Sequence, residues 1–196
     1  MEKINYVDEF KKIFNDKIKR DGAKEILDFL DTTDFYVSPA STRYHGNFEG
    51  GLVTHCVKVY KRFVKMVAED LGADFAKQNA ESLAVIALLH DVCKIGTYKK
   101  DKRNVKKDGV WHEVPHYSYE DSLPYGHGEK SVYMISGFMR LTRDEAMAIN
   151  WHMGAFDARA REGTTLSSAF SKFPLALLFH AADLLTSYRD EETLRD

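Results

Sequence analysis

Apolar residues recur at helical spacing along most of the chain. Tyr6, Phe10, Ile13, Phe14 and Ile18 keep an i, i+3, i+4 rhythm with charges between them and predict an N-terminal helix. Ile26, Leu27 and Leu30 place a second, short helix over about 23–31. The stretch "TTDFYVSPASTRYHGNFEGG" then breaks the rhythm with Pro39 and three glycines and reads as a loop. From Leu52 to about Leu71, Val53, Val57, Tyr60, Val64 and Val67 mark a long amphipathic helix that Gly72 ends. The next helix runs from about 74 to 93 and becomes almost wholly apolar at "LAVIALL", which makes it central. The segment 97–125 differs: an Asp108–Gly109 turn signal between two extended runs predicts a β-hairpin or ordered flap. Helices resume at about 128–140 and 143–153, the second opened by a capping-box pattern from Thr142 to Glu145. After the loop "GAFDARAREGTT" come short helical material and a final helix at roughly 172–190. The expectation is an all-α fold with a small hairpin insertion. It forms one domain over 1–196, whose N-terminal helices (about 4–31) pack on a core spanning about 45–190.

Composition changes this picture little. The chain has 196 residues, 44% hydrophobic and 30% charged, as in ordinary globular domains. A net charge of −2 gives no overall field favouring DNA or an acidic membrane, while a local cationic site remains compatible with it. The N-terminus alternates charge with apolar residues and has no signal-peptide core, and no segment reaches the roughly 18 apolar residues of a membrane span. Cys56 and Cys93 are not in CxxC spacing and sit in apolar helical patterns. They read as reduced, buried small hydrophobes, and the expected setting is cytoplasmic.

The central helix poses a chemical question. "ALLHDVCKIG" ends an aliphatic run with adjacent His90 and Asp91 and with Lys94 close behind. Ionisable groups in such a place cost free energy unless they are paired or hold a metal. His55, His90, Asp91, His127, His152 and Asp183 all fall near predicted helix boundaries and carry the donors usual for divalent transition ions. Four imidazoles and two carboxylates exceed the three protein ligands of one open catalytic ion and suit two ions sharing a carboxylate and a water. Spacing alone leaves a set of independent core or surface histidines as an equal alternative.

The ordered set "GGLVTHCVKV", "ALLHDVCKIG", "GHGEKS", "NWHMG" and "HAADLLTSYRD" resembles the HD superfamily of metal-dependent phosphohydrolases over about 45–190. Look-alikes with HDxxK include HD-GYP phosphodiesterases and bacterial HD-type 3′-5′ exoribonucleases; "HGNFEGGLVTH" is similar to the latter and "DLLTSYRD" to the former. The resemblance implies an HD helical bundle in which His55, His90, Asp91 and Asp183 hold one metal. Asp91 would bridge to a second metal completed by His127 and His152. There are departures. "WHMGAF" stands in place of the HHE…GYP signature, so cyclic-di-GMP-type specificity is not implied. Cys93-Lys94 replaces the glutamates of (p)ppGpp hydrolases. These 196 residues show no pattern expected of the oligonucleotide-binding domain often fused to the exoribonucleases, which weakens the expectation of a processive RNA-degrading role.

The function implied is hydrolysis of a nucleotide or related phosphoester, with a short oligonucleotide as a further candidate partner. The cofactors would be two divalent transition ions from among Mn, Fe, Co, Ni and Zn. The rivals are an HD-type di-iron oxygenase and a non-catalytic nucleotide sensor. Asp91 and Lys94 are the candidate catalytic residues, Lys94 lying on the helical face of His90 and Asp91, where it would contact a phosphate oxygen. Arg43, His45, Lys130 and Arg159 are further candidate substrate contacts, each equally readable as a surface or loop residue, and Arg161 shares the loop of Arg159. His180, three residues before Asp183, suits either a residue orienting it or a core histidine. His112 and His116 have no spacing argument. The flap's Tyr98, Trp111, Tyr117, Tyr119 and Tyr125 suit nucleobase stacking or the hairpin's own packing, and "KKDKRNVKK" suits anion steering or a solvated face.

Overall fold

The computed structural model describes residues 4–161 and 163–191. Among these, helices α1 (Tyr6–Lys17), α2 (Ala23–Asp31), α3 (Gly51–Asp70), α4 (Ala73–Gln78) and α5 (Ala80–Leu89) precede a hairpin of β1 (Tyr98–Lys107) and β2 (Val110–Tyr119). Helices α6 (His127–Ser136), α7 (Arg143–Asn150), α8 (Thr165–Lys172) and α9 (Pro174–Leu185) follow. The fold is thus helical with one small antiparallel sheet, as the pattern predicts.

The core is built around α5. Leu83 to Leu89 are all buried, so this helix is apolar on every side, the signature of a central element. It packs on α3, which contributes Leu52, Val53, Val57, Val59, Phe63 and Val67. Phe10 and Phe14 of α1 join the same cluster, with Phe10 beside Phe35 at a ring separation of 5.3 Å. Phe63 meets Phe179 of α9 edge-on at 5.0 Å.

Two long helices predicted from periodicity are broken. The one expected over 74–93 divides at Asn79, whose side-chain amide donates to the Phe75 carbonyl at 2.9 Å and closes α4 before α5 begins. It also ends early, because Asp91 leaves the helical region (φ −108°) and a single 3-10 turn, Val92–Lys94, follows. The helix expected over 172–190 divides at Pro174, which opens α9 where its missing N–H costs nothing and drives Phe173 out of the helical conformation. Past α9 the chain continues as a π-helical turn, Thr186–Asp190. Helices α6 and α7 stop at Ser136 and Asn150, short of the expected 140 and 153.

The hairpin follows the predicted turn. Asp108 (φ 52°) and Gly109 (φ 82°) are both left-handed, as a two-residue turn between right-twisted strands requires, and pair Lys107 with Val110 and Tyr98 with Tyr119.

One buried polar node ties the helices together. Glu145 forms the capping box with Thr142, their bonds measuring 3.2 and 2.8 Å. It also accepts from both terminal nitrogens of Arg20 (2.8 and 2.7 Å) and from Ser82 (2.6 Å). The linker between α1 and α2, helix α5 and helix α7 are thereby joined at a carboxylate with no exposed side-chain surface. Burial would raise the Glu145 pKa, but the hydrogen bonds from Arg20, Ser82 and Thr142 hold it below the ordinary value of 4.5. A depressed carboxylate pKa means stability that is fully present above about pH 4.5 and lost as pH falls below it. Glu145→Gln should therefore cost about 3 kcal/mol in denaturant unfolding at neutral pH. That cost should shrink progressively below pH 4.5. A loss of equal size at pH 7 and pH 3.5 would contradict the assignment.

Candidate metal centre

The six sequence-predicted ligands arrive from five parts of the chain. His55 lies in the second turn of α3; His90 and Asp91 end the apolar α5; His127 opens α6; His152 follows α7; Asp183 lies on α9. The "GHG" around His127 has a local cause. A Cβ on Gly128 would lie 2.3 Å from the Asn150 carbonyl oxygen, so only glycine lets α6 approach the end of α7 and bring His127 to His152, ring centres 5.2 Å apart.

The side chains converge. His55 Nε2 lies 3.3 Å from His90 Nε2, 3.2 Å from Asp183 Oδ1 and 3.7 Å from Asp91 Oδ2. Asp91 Oδ2 is 3.4 Å from His90 Nε2, and its other oxygen faces His127 Nε2 at 2.8 Å and His152 Nε2 at 3.7 Å. Four overlapping ligand groups, His45–His55–Glu191, His55–His90–Asp91, His90–His152–Asp183 and Asp91–Cys93–His127, each have donor atoms within 4.8 Å of one another. All six predicted residues thus share one cluster.

The outward-facing ring atoms fix the tautomers. His90 Nδ1 donates to the Ala87 carbonyl at 3.0 Å and His152 Nδ1 to that of Ile149 at 2.7 Å. At His152 burial acts downward, but the hydrogen bond with Asp91 overcomes it and raises the pKa. In their neutral form these two rings turn Nε2 lone pairs inward, the arrangement that metal-binding histidines adopt. Acceptors therefore crowd the centre: two lone pairs beside the oxygens of Asp91 and Asp183. Burial opposes ionisation of both carboxylates. It is outweighed at Asp91 by Lys94 and the neighbouring imidazoles, and at Asp183 by the hydrogen bond from His55, so both stay ionised with depressed pKa values. Burial lowers the pKa values of His90 and His127. At His55 burial also acts downward, but Asp183 and Glu191 overcome it and raise the pKa to about 10. A buried set of ionised carboxylates and inward lone pairs is what a divalent cation would satisfy, so the residues fit the metal centre that the sequence predicts.

Two neighbours escape the sequence analysis. Glu191, just beyond the π-helical turn, is buried and accepts from His55 Nδ1 at 3.0 Å; its Oε2 has no hydrogen-bond partner among the described residues. Nothing in its acidic surroundings, "RDEE", distinguishes it from a solvated tail. Cys93 lies 3.4 Å from His127 Nε2, and burial pushes its thiol up to about 12, so it stands as a neutral thiol beside the cluster.

Lys94 is held by Asp91 at 2.6 Å with its side chain only 12% exposed. It opens with His127 and Lys130 onto a cavity of about 110 Å³, whose other walls include Tyr98, Tyr119 and Asp121. Lys130 is buried and bonded to Asp121 at 2.6 Å. The His45 ring sits 5.0 Å from that of His55, and burial lowers its pKa to about 4, leaving a neutral ring at the edge of the cluster. Arg43 is exposed. Arg159 is drawn elsewhere: it pairs with Asp157 and Glu129, donates to Asn150 and covers the Trp151 ring at 4.8 Å. These partners occupy its guanidinium and make it a brace for the loop after His152. His180 Nδ1 donates to the His152 carbonyl at 2.6 Å, and its ring fills the space that a side chain at Gly154 would need. It therefore orients the His152 segment.

Glu191→Ala removes the acceptor that orients His55 and should weaken Mn²⁺ binding by roughly ten- to a hundredfold. Titration calorimetry on metal-stripped protein checks this, and unchanged affinity would contradict the role given to Glu191.

The family model for the HD domain matches residues 52–187, from the start of α3 to the π-helical turn after α9. Searches of curated proteins and of solved structures find no match. The matched span takes in all six residues of the cluster, and the chain belongs to the HD domain family, the superfamily of metal-dependent phosphohydrolases.

Proposed function

We propose that this protein hydrolyses the phosphoester of a nucleotide or related compound at a centre of two divalent transition ions, drawn from Mn, Fe, Co, Ni and Zn. The observation that carries this reading is the convergence of four imidazoles and two ionised carboxylates, His55, His90, Asp91 and His152 buried with His127 and Asp183 at the edge, directly beside a cavity lined by two lysines. In this reading His55, His90, Asp91 and Asp183 hold one ion, and Asp91, His127 and His152 hold the other. When bound, such a pair supplies a water of lowered pKa and neutralises charge on the attacked phosphoryl group.

The chain's own residues do the rest. The carbonyls of Ala87 and Ile149 hold the His90 and His152 rings with their lone pairs inward, so no reorganisation is needed when a cation enters. Asp91 presents its two oxygens to different sides of the cluster, Oδ2 towards His55 and His90 and Oδ1 towards His127 and His152. Asp91 holds the Lys94 ammonium charged against the opposing pull of burial. With one of its three donors on Asp91, Lys94 keeps donors for a phosphoryl oxygen as negative charge builds there. Lys130, His45 and Arg43 are the remaining proposed substrate contacts, the first two supported by their places on the cavity wall and beside His55. Arg159, committed to Asp157 and Glu129, is left out of that set.

The hydrolytic reading is favoured over an oxygenase or a sensor by Lys94, a buried cation placed between the cluster and the cavity, where an anionic group would approach. With Mn²⁺ and nucleoside phosphates, cyclic nucleotides or bis-p-nitrophenyl phosphate, the protein should turn over phosphoesters without consuming oxygen. Asp91→Ala should abolish this turnover, and Lys94→Ala should lower kcat by about 10²–10³. Undiminished turnover by Asp91→Ala, or oxygen uptake coupled to catalysis, would contradict the proposal.

A further inference from the structure

Among the described elements the hairpin carries the largest excess of positive charge. Residues 98–119 carry six Lys or Arg against three Asp or Glu, whereas the whole chain carries 28 against 30. Side chains alternate between the two faces of a ribbon, and its register assigns each residue to a face. One face carries Lys100 opposite Tyr117, Lys106 opposite Trp111, Lys102 opposite Pro115 and Tyr98 opposite Tyr119, so the four aromatic rings share it with three lysines and Glu113. The other carries Lys99, Arg103 and Lys107 among Val105, Val110 and Val114. Most of the aromatic face is open. Trp111 is 66% exposed and Tyr119 61% exposed, while Val105, Arg103 and Val114 on the opposite face are partly covered.

The same face runs into the cavity. Tyr98 and Tyr119 stand opposite each other at the hairpin base, ring centres 6.0 Å apart, and both line the cavity beside Lys94, His127 and Lys130. From there Lys100 beside Tyr117 and Lys102 beside Pro115 lead, past Asn104 and Glu113, to Lys106, whose ammonium lies 6.0 Å over the Trp111 ring. At about 3.3 Å per residue each strand extends roughly 30 Å, a length of several nucleotides. Among the described residues Lys100 and Lys102 pair with the exposed carboxylates of Glu49 and Glu113, weak pairs in water that a phosphate can replace.

We infer that this face of the hairpin is a track for single-stranded nucleic acid, its lysines following the phosphates and its aromatic rings stacking on bases, so that a strand end enters the cavity beside Lys94. The inference rests on the phosphohydrolase reading and deepens it: the substrate class becomes a single-stranded oligonucleotide. Interleaved cations and π-faces are how proteins hold single strands without reading sequence. Duplex presents its bases edge-on and offers the rings nothing to stack on.

The test is binding by the full chain, kept metal-free with chelator so that turnover plays no part. Fluorescein-labelled single strands of DNA and of RNA, with the matching duplexes, are followed by anisotropy. Single strands of one or both kinds should bind, with quenching of Trp111 fluorescence and at least about tenfold preference over duplex. Trp111→Ala should weaken binding by about 5- to 150-fold, the worth of one stacked base. Reversal of Lys100, Lys102 and Lys106 to Glu should also flatten the slope of log affinity against log salt by about two, at about 0.7 per cation. Reversing the exposed Lys17, Lys24 and Lys65 on helices should leave affinity within about twofold. Equal losses in both triple variants, equal affinity for duplex, or binding only to vesicles of phosphatidylglycerol would overturn the inference. So would no binding at all. Because the readout needs no catalysis, its failure is distinct from failure of phosphoester hydrolysis, which the small-substrate assay reads.

Discussion

The structure depends on keeping the Asp91 carboxylate ionised at the end of an apolar helix. Such a group is costly in a low-dielectric interior unless its oxygens are surrounded by positive charge and donors. The chain meets this with Lys94 three residues on, His127 at 2.8 Å and three further imidazoles within 4 Å. Asp183 and Glu191 on either side of His55 extend the arrangement and raise the pKa of that imidazole against the pull of burial. What results is a compact cluster of carboxylates and imidazoles, the donor types that divalent ions take. Such a cluster favours a divalent ion over water, and it explains why residues from five separate parts of the chain must be brought to one place.

The scaffold that does this works by constraint on each approach. Helix α5 is apolar throughout and can only be central, which fixes His90 and Asp91 deep in the protein. Gly128 lets α6 close on α7, setting His127 against His152. The His180 ring lies under Gly154 and holds the chain just past His152 through a backbone carbonyl. The Arg20–Glu145 pair anchors α7 to α5 and to the N-terminal helices, so the N-terminal segment is part of the frame that positions the centre.

Much of this is legible in the sequence, and what is missed has physical reasons. Helical periodicity reveals α1, α2, α3 and α7 because each has one face on the core, and the Asp108–Gly109 pair reveals the hairpin because both residues must adopt positive φ. Periodicity cannot see that Asn79 folds its amide back on α4, and Pro174 is a break hidden in an otherwise apolar run. The six clustered residues are legible because their chemistry is costly in a core. Glu191 is not, since an acidic residue near a chain end looks the same buried or solvated. Arg159 is misleading for the opposite reason: a loop arginine after a candidate ligand suggests an anion contact, yet Asp157, two residues earlier, already claims it.

The central claim is that this cluster is a two-ion centre. Elemental analysis of the chain purified without chelator, followed by Mn²⁺ titration of the stripped protein, tests it most directly. The account predicts two transition ions per chain, with Asp91→Ala unable to retain the pair. A protein that arrives free of transition metal and binds none on titration would contradict it.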